Sequence, residues 1–457
     1  MFRLESDSIG ERKLPLNAYY GVQSLRASEN FKISERKTNN ELILSAVAIK
    51  KGSAIANFKA GAIDKKVCDA IVFACDKILE GNYLDSFIVD AIQGGAGTSL
   101  NMNVNEVIAN IALEFLGEEK GNYSIIHPND HVNCGQSTND VYPSAGKIAL
   151  IRLIKKAIEQ IKLLADSFEK KAIEYSDVIK MGRTEMQDAV PISFKQVFNA
   201  YKAPLLRDAI RLDLATEQLS ILNMGGTAIG TTVNAEKYYV KNVVAEISKV
   251  CNLPLKQAVD LVDSTQNLDV FVSVSGAIKT CATNLCKIAN DLRLLSSGPR
   301  TGFSEINLPA KQNGSSIMPG KINPVIPEVV NQICFKIFGN DCTVTHAVEG
   351  GQLELNAFEP IIFDTLIESL TLLTNGAKTF RTECIDGITV NEKVCSKNVQ
   401  NSISIITATC PKLGYKKASE LAKKALKEDK TVKQVLTEEG FYTDTELELV
   451  LNPKNMI

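Results

Sequence analysis

The segment IRLIKKAIEQIKLLADSFEK, residues 151–170, decides the fold. Ile151, Ile154, Ile158, Ile161, Ala165 and Phe168 recur at alternating steps of three and four, and Arg152, Lys155, Lys156, Glu159, Lys162 and Glu169 occupy the positions between. That period is helical, so one stripe of the helix is apolar and the rest is charged. A seam sustained for about five turns packs along another long helix, as in bundles. Comparable segments at 192–222, 235–250, 270–296, 326–349 and 358–382 predict further long helices. Pro204 should kink the first of these, because it withholds an N–H and crowds the preceding turn. Gly- and Pro-rich stretches separate them, notably MGGTAIGTT (224–232) and the run 297–324.

Working outward, residues 1–139 read as a mixed, mostly helical domain, 140–394 as the central long-helix bundle, and 395–457 as a small, Lys-rich helical domain. The fold class is therefore mainly α, with three domains around the bundle. A chain of 457 residues is long enough for several such units. Its composition, 45% hydrophobic and 23% charged, is that of an ordinary globular protein. A net charge of -2 gives no reason to expect nucleic acid or an anionic membrane as partner. No apolar run approaches the ~20 residues of a membrane span. The opening MFRLESDSIGERK is charged from its third residue and has no apolar export core, so the expected location is the cytoplasm. The 11 cysteines are odd in number, form no CxxC pair and mostly sit among apolar neighbours, as Cys334 does in QICFKIF. They read as buried free thiols. Only three histidines, His127, His131 and His346, are present, and none has a HExxH-type partner, so a histidine-based zinc site is not expected. Proton chemistry must lean on other side chains.

Four polar segments carry the candidate chemistry: GGAGTSLNMN (94–103), GQSTND (135–140), MGRTEMQDAVP (181–191) and GSSIMPGKINP (314–324). Glycine lets backbone approach a ligand closely, and Ser, Thr and Asn supply short hydrogen-bonding groups. Any one segment alone reads as a turn or a helix cap. Together they suggest a site for a small, oxygen-rich anion. The last one is not a nucleotide-binding P-loop, since five residues separate Gly314 from Gly320 and Ile322 stands where the metal-binding hydroxyl belongs.

The stretch GSSIMPGKINP resembles the signature loop of the aspartase/fumarase superfamily, and the other three segments match that family's remaining active-site segments in the same order. The resemblance runs from AYYGVQSLRASENF (18–31) to LNPKNMI (451–457). NPVIPEVVNQ (323–332) and GNDCTVTHAVEGGQLELNAFEP (339–360) are similar to the aspartase branch, whereas fumarases typically read NPTQCE after the signature. The resemblance implies reversible deamination of L-aspartate to fumarate and ammonia, without an organic cofactor, with Mg²⁺ as an activator at most. It also implies a homotetramer with a helical core and active sites shared among three subunits. A class II fumarate hydratase and a non-catalytic helical scaffold of the same superfamily are the alternatives.

By the same resemblance Ser315 is the base that takes the proton beside the β-carboxylate, giving an aci-carboxylate that collapses by anti elimination. Thr98, Ser137, Thr138 and Ser316 would hold the β-carboxylate, Thr184, Lys321 and Asn323 the α-carboxylate, and Asn139 would lie near the amino group. Serine ionises only where donors or cations stabilise its anion, which a Gly-rich loop and Lys321 can supply. Glu185 departs from the family, which more often has histidine or glutamine there. An ionised carboxylate cannot donate to a substrate carboxylate but can accept from its ammonium; the alternative is a salt bridge elsewhere in the protein. His127 reads as part of a surface turn, and Asp188 and Glu328 as structural.

Overall fold

The computed structural model describes residues 1–457. A hairpin of β1 (Phe2–Asp7) and β2 (Gly10–Pro15) leads into helices α1 (Val22–Asn30), α2 (Asn40–Ala60), α3 (Lys65–Leu79), α4 (Thr98–Phe115) and the 37-residue α5 (Thr138–Glu174). A second hairpin, β3 (Ile179–Thr184) and β4 (Gln187–Ser193), precedes α6 (Phe194–Leu219). The short strand β5 (Ile221–Leu222) is followed by α7 (Lys237–Cys251), β6 (Lys256–Gln257), α8 (Asp263–Gln266) and α9 (Asp269–Leu295). Then come β7 (Ile306–Asn307), α10 (Val325–Glu349), α11 (Glu359–Glu383), β8 (Thr389–Val390), α12 (Glu392–Asn401), α13 (Cys410–Lys427), α14 (Val432–Glu439) and α15 (Asp444–Val450). Strands pair only in twos: β1–β2, β3–β4 and β7–β8 antiparallel, β5–β6 parallel. No helix is long and apolar enough to cross a membrane.

The long helices fall where the apolar period places them, and all six seam residues of 151–168 are buried. α6 continues on both sides of Pro204. The carbonyl that this proline leaves unpaired belongs to Ala200, which is exposed, so water can take its hydrogen bond.

Contacts divide the chain into two compact units, each drawn from three separated stretches. The first comprises Met1–Ile158, Ile210–Thr280 and Lys336–Leu373. Here α2 is buried nearly all round and packs on α3 and α7. Its Gly52 allows that approach, because a Cβ there would stand 2.8 Å from the Ile247 Cα. Phe363 of α11 meets Phe271 of α9 edge-on at 5.0 Å and Tyr142 of α5 at 5.5 Å. The second unit comprises Glu159–Ala209, Cys281–Phe335 and Thr374–Ile457. In it Phe168 of α5 packs on Phe198 and Tyr201 of α6, and the Tyr201 hydroxyl donates to Asp291 of α9 at 2.9 Å. Its C-terminal helices close around Val399, Leu421, Val432, Val435, Leu436 and Leu447, with Met181 of β3 inserted among them.

Candidate active site

Two helix N-termini adjoin in the first unit. α4 starts at Thr98 after Gly95, Ala96 and Gly97, whose φ values of +85°, +55° and +91° turn the chain sharply. The Thr98 hydroxyl donates to the Gly95 carbonyl at 2.7 Å, so it must rotate to bind a ligand. Gly97 is required twice over: its φ is left-handed, and a Cβ would lie 2.3 Å from the Tyr142 ring. Gly97→Ala should therefore destabilise the protein by about 2–4 kcal/mol, combining left-handed strain with overpacking. Gly95→Ala, whose nearest contact would be 3.8 Å, should cost only about 1–2 kcal/mol. Urea midpoints of the two variants check this, and equal losses would show that the Tyr142 contact is relieved at no cost.

α5 starts at Thr138 with a capping box written as Ser-Thr-Asn-Asp. The Ser137 hydroxyl accepts from the Asn139 N–H at 3.2 Å, and Asp140 accepts from the Ser137 N–H at 2.9 Å. Asn101, on the first turn of α4, donates to the Thr138 hydroxyl at 3.1 Å and ties the two helix starts together. Asn139 donates to the Ala228 carbonyl at 2.8 Å, and its own carbonyl accepts from Asn223 at 3.0 Å. Asp140 is fully buried and also accepts from Gly225 and Thr227 N–H at 3.2 and 3.1 Å, stitching the 225–227 loop to the cap. Burial pushes its pKa up to about 6 against the pull of those three N–H groups. Two helix dipoles and clustered hydroxyl and amide groups suit a carboxylate. Ser137 and Asn139 share the α5 cap, Thr138 is tied to α4 through Asn101, and Thr98 bonds only to Gly95 at the start of α4. Asp140, which organises the α5 cap, was not singled out from the sequence, although the S-x-x-D cap pattern was there to read.

The remaining candidates lie in the second unit. Thr184 ends β3, and Glu185 and Met186 form the two-residue turn to β4 with φ of +54° and +67°. Both φ positive makes this the tight hairpin turn that normally selects Asn-Gly, here built from side-chain-bearing residues. The base of the hairpin is anchored by Glu305, fully buried, 2.8 Å from Arg183 and 3.1 Å from Lys180. Glu185 is exposed, and its carboxylate meets no cation of its own chain. The Ser402 hydroxyl donates to Asp188 at 2.8 Å, a structural role.

The 314–324 loop closes on itself. The Gly314 N–H donates to the Lys321 carbonyl at 2.7 Å, and the Asn323 amide donates to the Gly314 carbonyl at 3.0 Å. A Cβ on Gly314 would stand 2.6 Å from the Lys321 carbonyl, so only glycine permits the clasp. Inside it the Ser315 Oγ accepts from the Ile317 and Met318 N–H groups at 3.2 and 3.0 Å. Two amide donors on one hydroxyl oxygen would stabilise its anion. Ser316 and Lys321 are exposed, as is Ile317 at 83%. His127 accepts from the Asn129 and Asp130 N–H groups in a tight turn, as expected of a structural residue.

Residues 10–339 match the family described as Lyase, and residues 405–457 match the fumarase C C-terminus. An aspartate ammonia-lyase of Bacillus sp is 50% identical, with 99% of this chain and 97% of that protein covered. One from Helicobacter pylori is 49% identical over 100% of this chain and 98% of its own length. Among solved structures, a fumarate lyase:delta crystallin from Brucella melitensis has a TM-score of 0.97 at 47% identity, covering 99% of both chains. A class II fumarase from Schistosoma mansoni has a TM-score of 0.96 at 33% identity, covering 100% of this chain and 99% of its own.

Proposed function

The chain belongs to the aspartase/fumarase superfamily, and from that premise we propose that it deaminates L-aspartate reversibly to fumarate and ammonia. It is a carbon–nitrogen lyase: relatives that share about half of its residues over their whole length are aspartate ammonia-lyases. That full-length identity carries the assignment.

The proposed chemistry assigns the groups present the roles that the family resemblance implies. Ser315, as alkoxide, takes the C3 proton, and the β-carboxylate receives the electron pair as an aci-carboxylate. The electrons then return to form the C2–C3 double bond while the C–N bond breaks and ammonia leaves from the opposite face. The dianionic intermediate needs preorganised donors. Thr98, Ser137, Thr138 and Ser316 serve the β-carboxylate, Thr184, Lys321 and Asn323 the α-carboxylate, and Asn139 and Glu185 the amine. The Ile317 and Met318 N–H groups on Ser315 support its role as base. The proposed reaction uses no organic cofactor, with Mg²⁺ at most an activator and not catalytic. Incubating fumarate with ammonium should yield L-aspartate. Malate formed from fumarate without ammonium would overturn the assignment.

Assembly is part of the proposal. Leu206, Ile210 and Leu214 stand exposed at successive fourth positions of α6, a stripe that a second long helix would cover. We place it in the core of a homotetramer in the cytoplasm, whose reducing conditions suit 11 free cysteines. Sites shared between subunits predict complementation: inactive Ser315→Ala and inactive Thr184→Val proteins should regain activity after mixing and reassociation. Hybrid tetramers seen by mass spectrometry without recovered activity would contradict shared sites.

A further inference from the structure

Lys50 sits in mid-α2, fully buried, and has no part in the chemistry above. Its Nζ donates to Asn133 Oδ1 at 2.7 Å and to Gln136 Oε1 at 3.0 Å. Asp140 is the carboxylate whose charge acts on it, and burial pushes its pKa down to about 7. Because Nζ faces two acceptor oxygens, it donates to both whether it carries two hydrogens or three. Asn133 Oδ1 also accepts from Asn101 and Asn105, each at 3.2 Å. Asn101 spends its second N–H on the Thr138 hydroxyl oxygen at 3.1 Å.

The direction of this chain matters. A side-chain amide has an acceptor at one end and donors at the other, and its shape is nearly the same either way round. At the other end of Asn133 its NH₂ donates to the Gln136 backbone carbonyl at 3.2 Å, so that carbonyl and Lys50 together set the polarity that Asn101 and Asn105 follow. Lys50 reinforces that polarity, because its Nζ donates to the Asn133 oxygen from the inner side. The Asn133 oxygen held inward makes Asn101 present its NH₂ group, which makes Thr138 an acceptor from within. Cost is visible at the far side: the Oδ1 atoms of Asn101 and Asn105 are buried without a partner. We propose that Lys50 is a positioning residue that reinforces the polarity of the Asn133–Asn101–Thr138 chain, leaving the Thr138 hydroxyl proton free to donate to a substrate carboxylate. This rests on the reading above that Thr138 binds that carboxylate.

The test uses the assembled enzyme, aspartate turnover, and succinate as a dicarboxylate that cannot react. Lys50→Met should raise the succinate Ki and the aspartate KM together, about tenfold or more. Introduced into Thr138→Val, it should raise Ki by less than a further twofold, since the hydroxyl it orients is already gone. An unchanged Ki in Lys50→Met, or the same tenfold factor in both backgrounds, would overturn the proposal, even if the variant melts lower. If Lys50→Met fails to assemble, Asn101→Leu cuts the same chain beside Thr138 and should raise Ki likewise; an unchanged Ki there overturns it. Wild-type protein that neither deaminates aspartate nor binds succinate would instead sink the assigned function, and this role with it.

Discussion

Ser315→Ala is expected to lower kcat for aspartate deamination about a thousandfold while leaving fold and assembly intact. A positioned general base contributes on the order of 10²–10⁴ in rate, and here the base must first be made ionisable. In the proposed role the clasp of 314–321 would do that locally, since it aims two backbone N–H groups at Oγ. Alanine removes the base but not the clasp, since the Gly314–Lys321 and Asn323–Gly314 hydrogen bonds involve no atom of the serine side chain. The Ile317 and Met318 residues are exposed, so water can take their freed N–H groups and stability should hold. Steady-state kinetics and thermal unfolding check both halves. Turnover within tenfold of wild type would remove Ser315 from the role of base.

Much of this was legible from sequence because the seamed helices have two unlike faces. Ile151 to Phe168 could be read since charged residues alternate with the buried seam. α2 could not: it is buried on nearly every side from Leu42 to Asn57, and a helix without a solvent face shows no period. The hairpin tip was equally silent, for Glu185-Met186 lacks the Asn-Gly chemistry that marks such turns. In the site, the polar segments announced themselves by glycine and hydroxyl content. The long-range contacts beside them did not, because Asp140 meets Gly225 and Thr227 over 85 and 87 residues, and Lys50 meets Asn133 over 83. Nor can a reading in chain order reveal units assembled from three separated stretches each.

Glu185→Ala should reduce kcat/KM for aspartate about ten- to a hundredfold. The carboxylate is unpaired on a hairpin whose base is locked by the buried Glu305 ion pairs and whose tip holds two side-chain-bearing residues in left-handed conformation. An acceptor with no cation of its own chain beside it is suited to the substrate ammonium, and a charged hydrogen bond of that kind is worth roughly 1.5–3 kcal/mol. Glu185→Gln keeps an acceptor oxygen and loses the charge, so it should fall between alanine and wild type. Fumarate has no ammonium, and its affinity for Glu185→Ala should be unchanged or tighter as a negative charge leaves. Equal weakening of aspartate and fumarate would assign Glu185 a purely structural role.

The central claim, that this chain eliminates ammonia and not water, is tested most directly by initial rates of fumarate formation from L-aspartate and from L-malate, followed by absorbance of the conjugated product. Rapid fumarate release from aspartate, matched mole for mole by ammonia and with malate essentially inert, is the predicted result. Fumarate from malate with aspartate inert would contradict it.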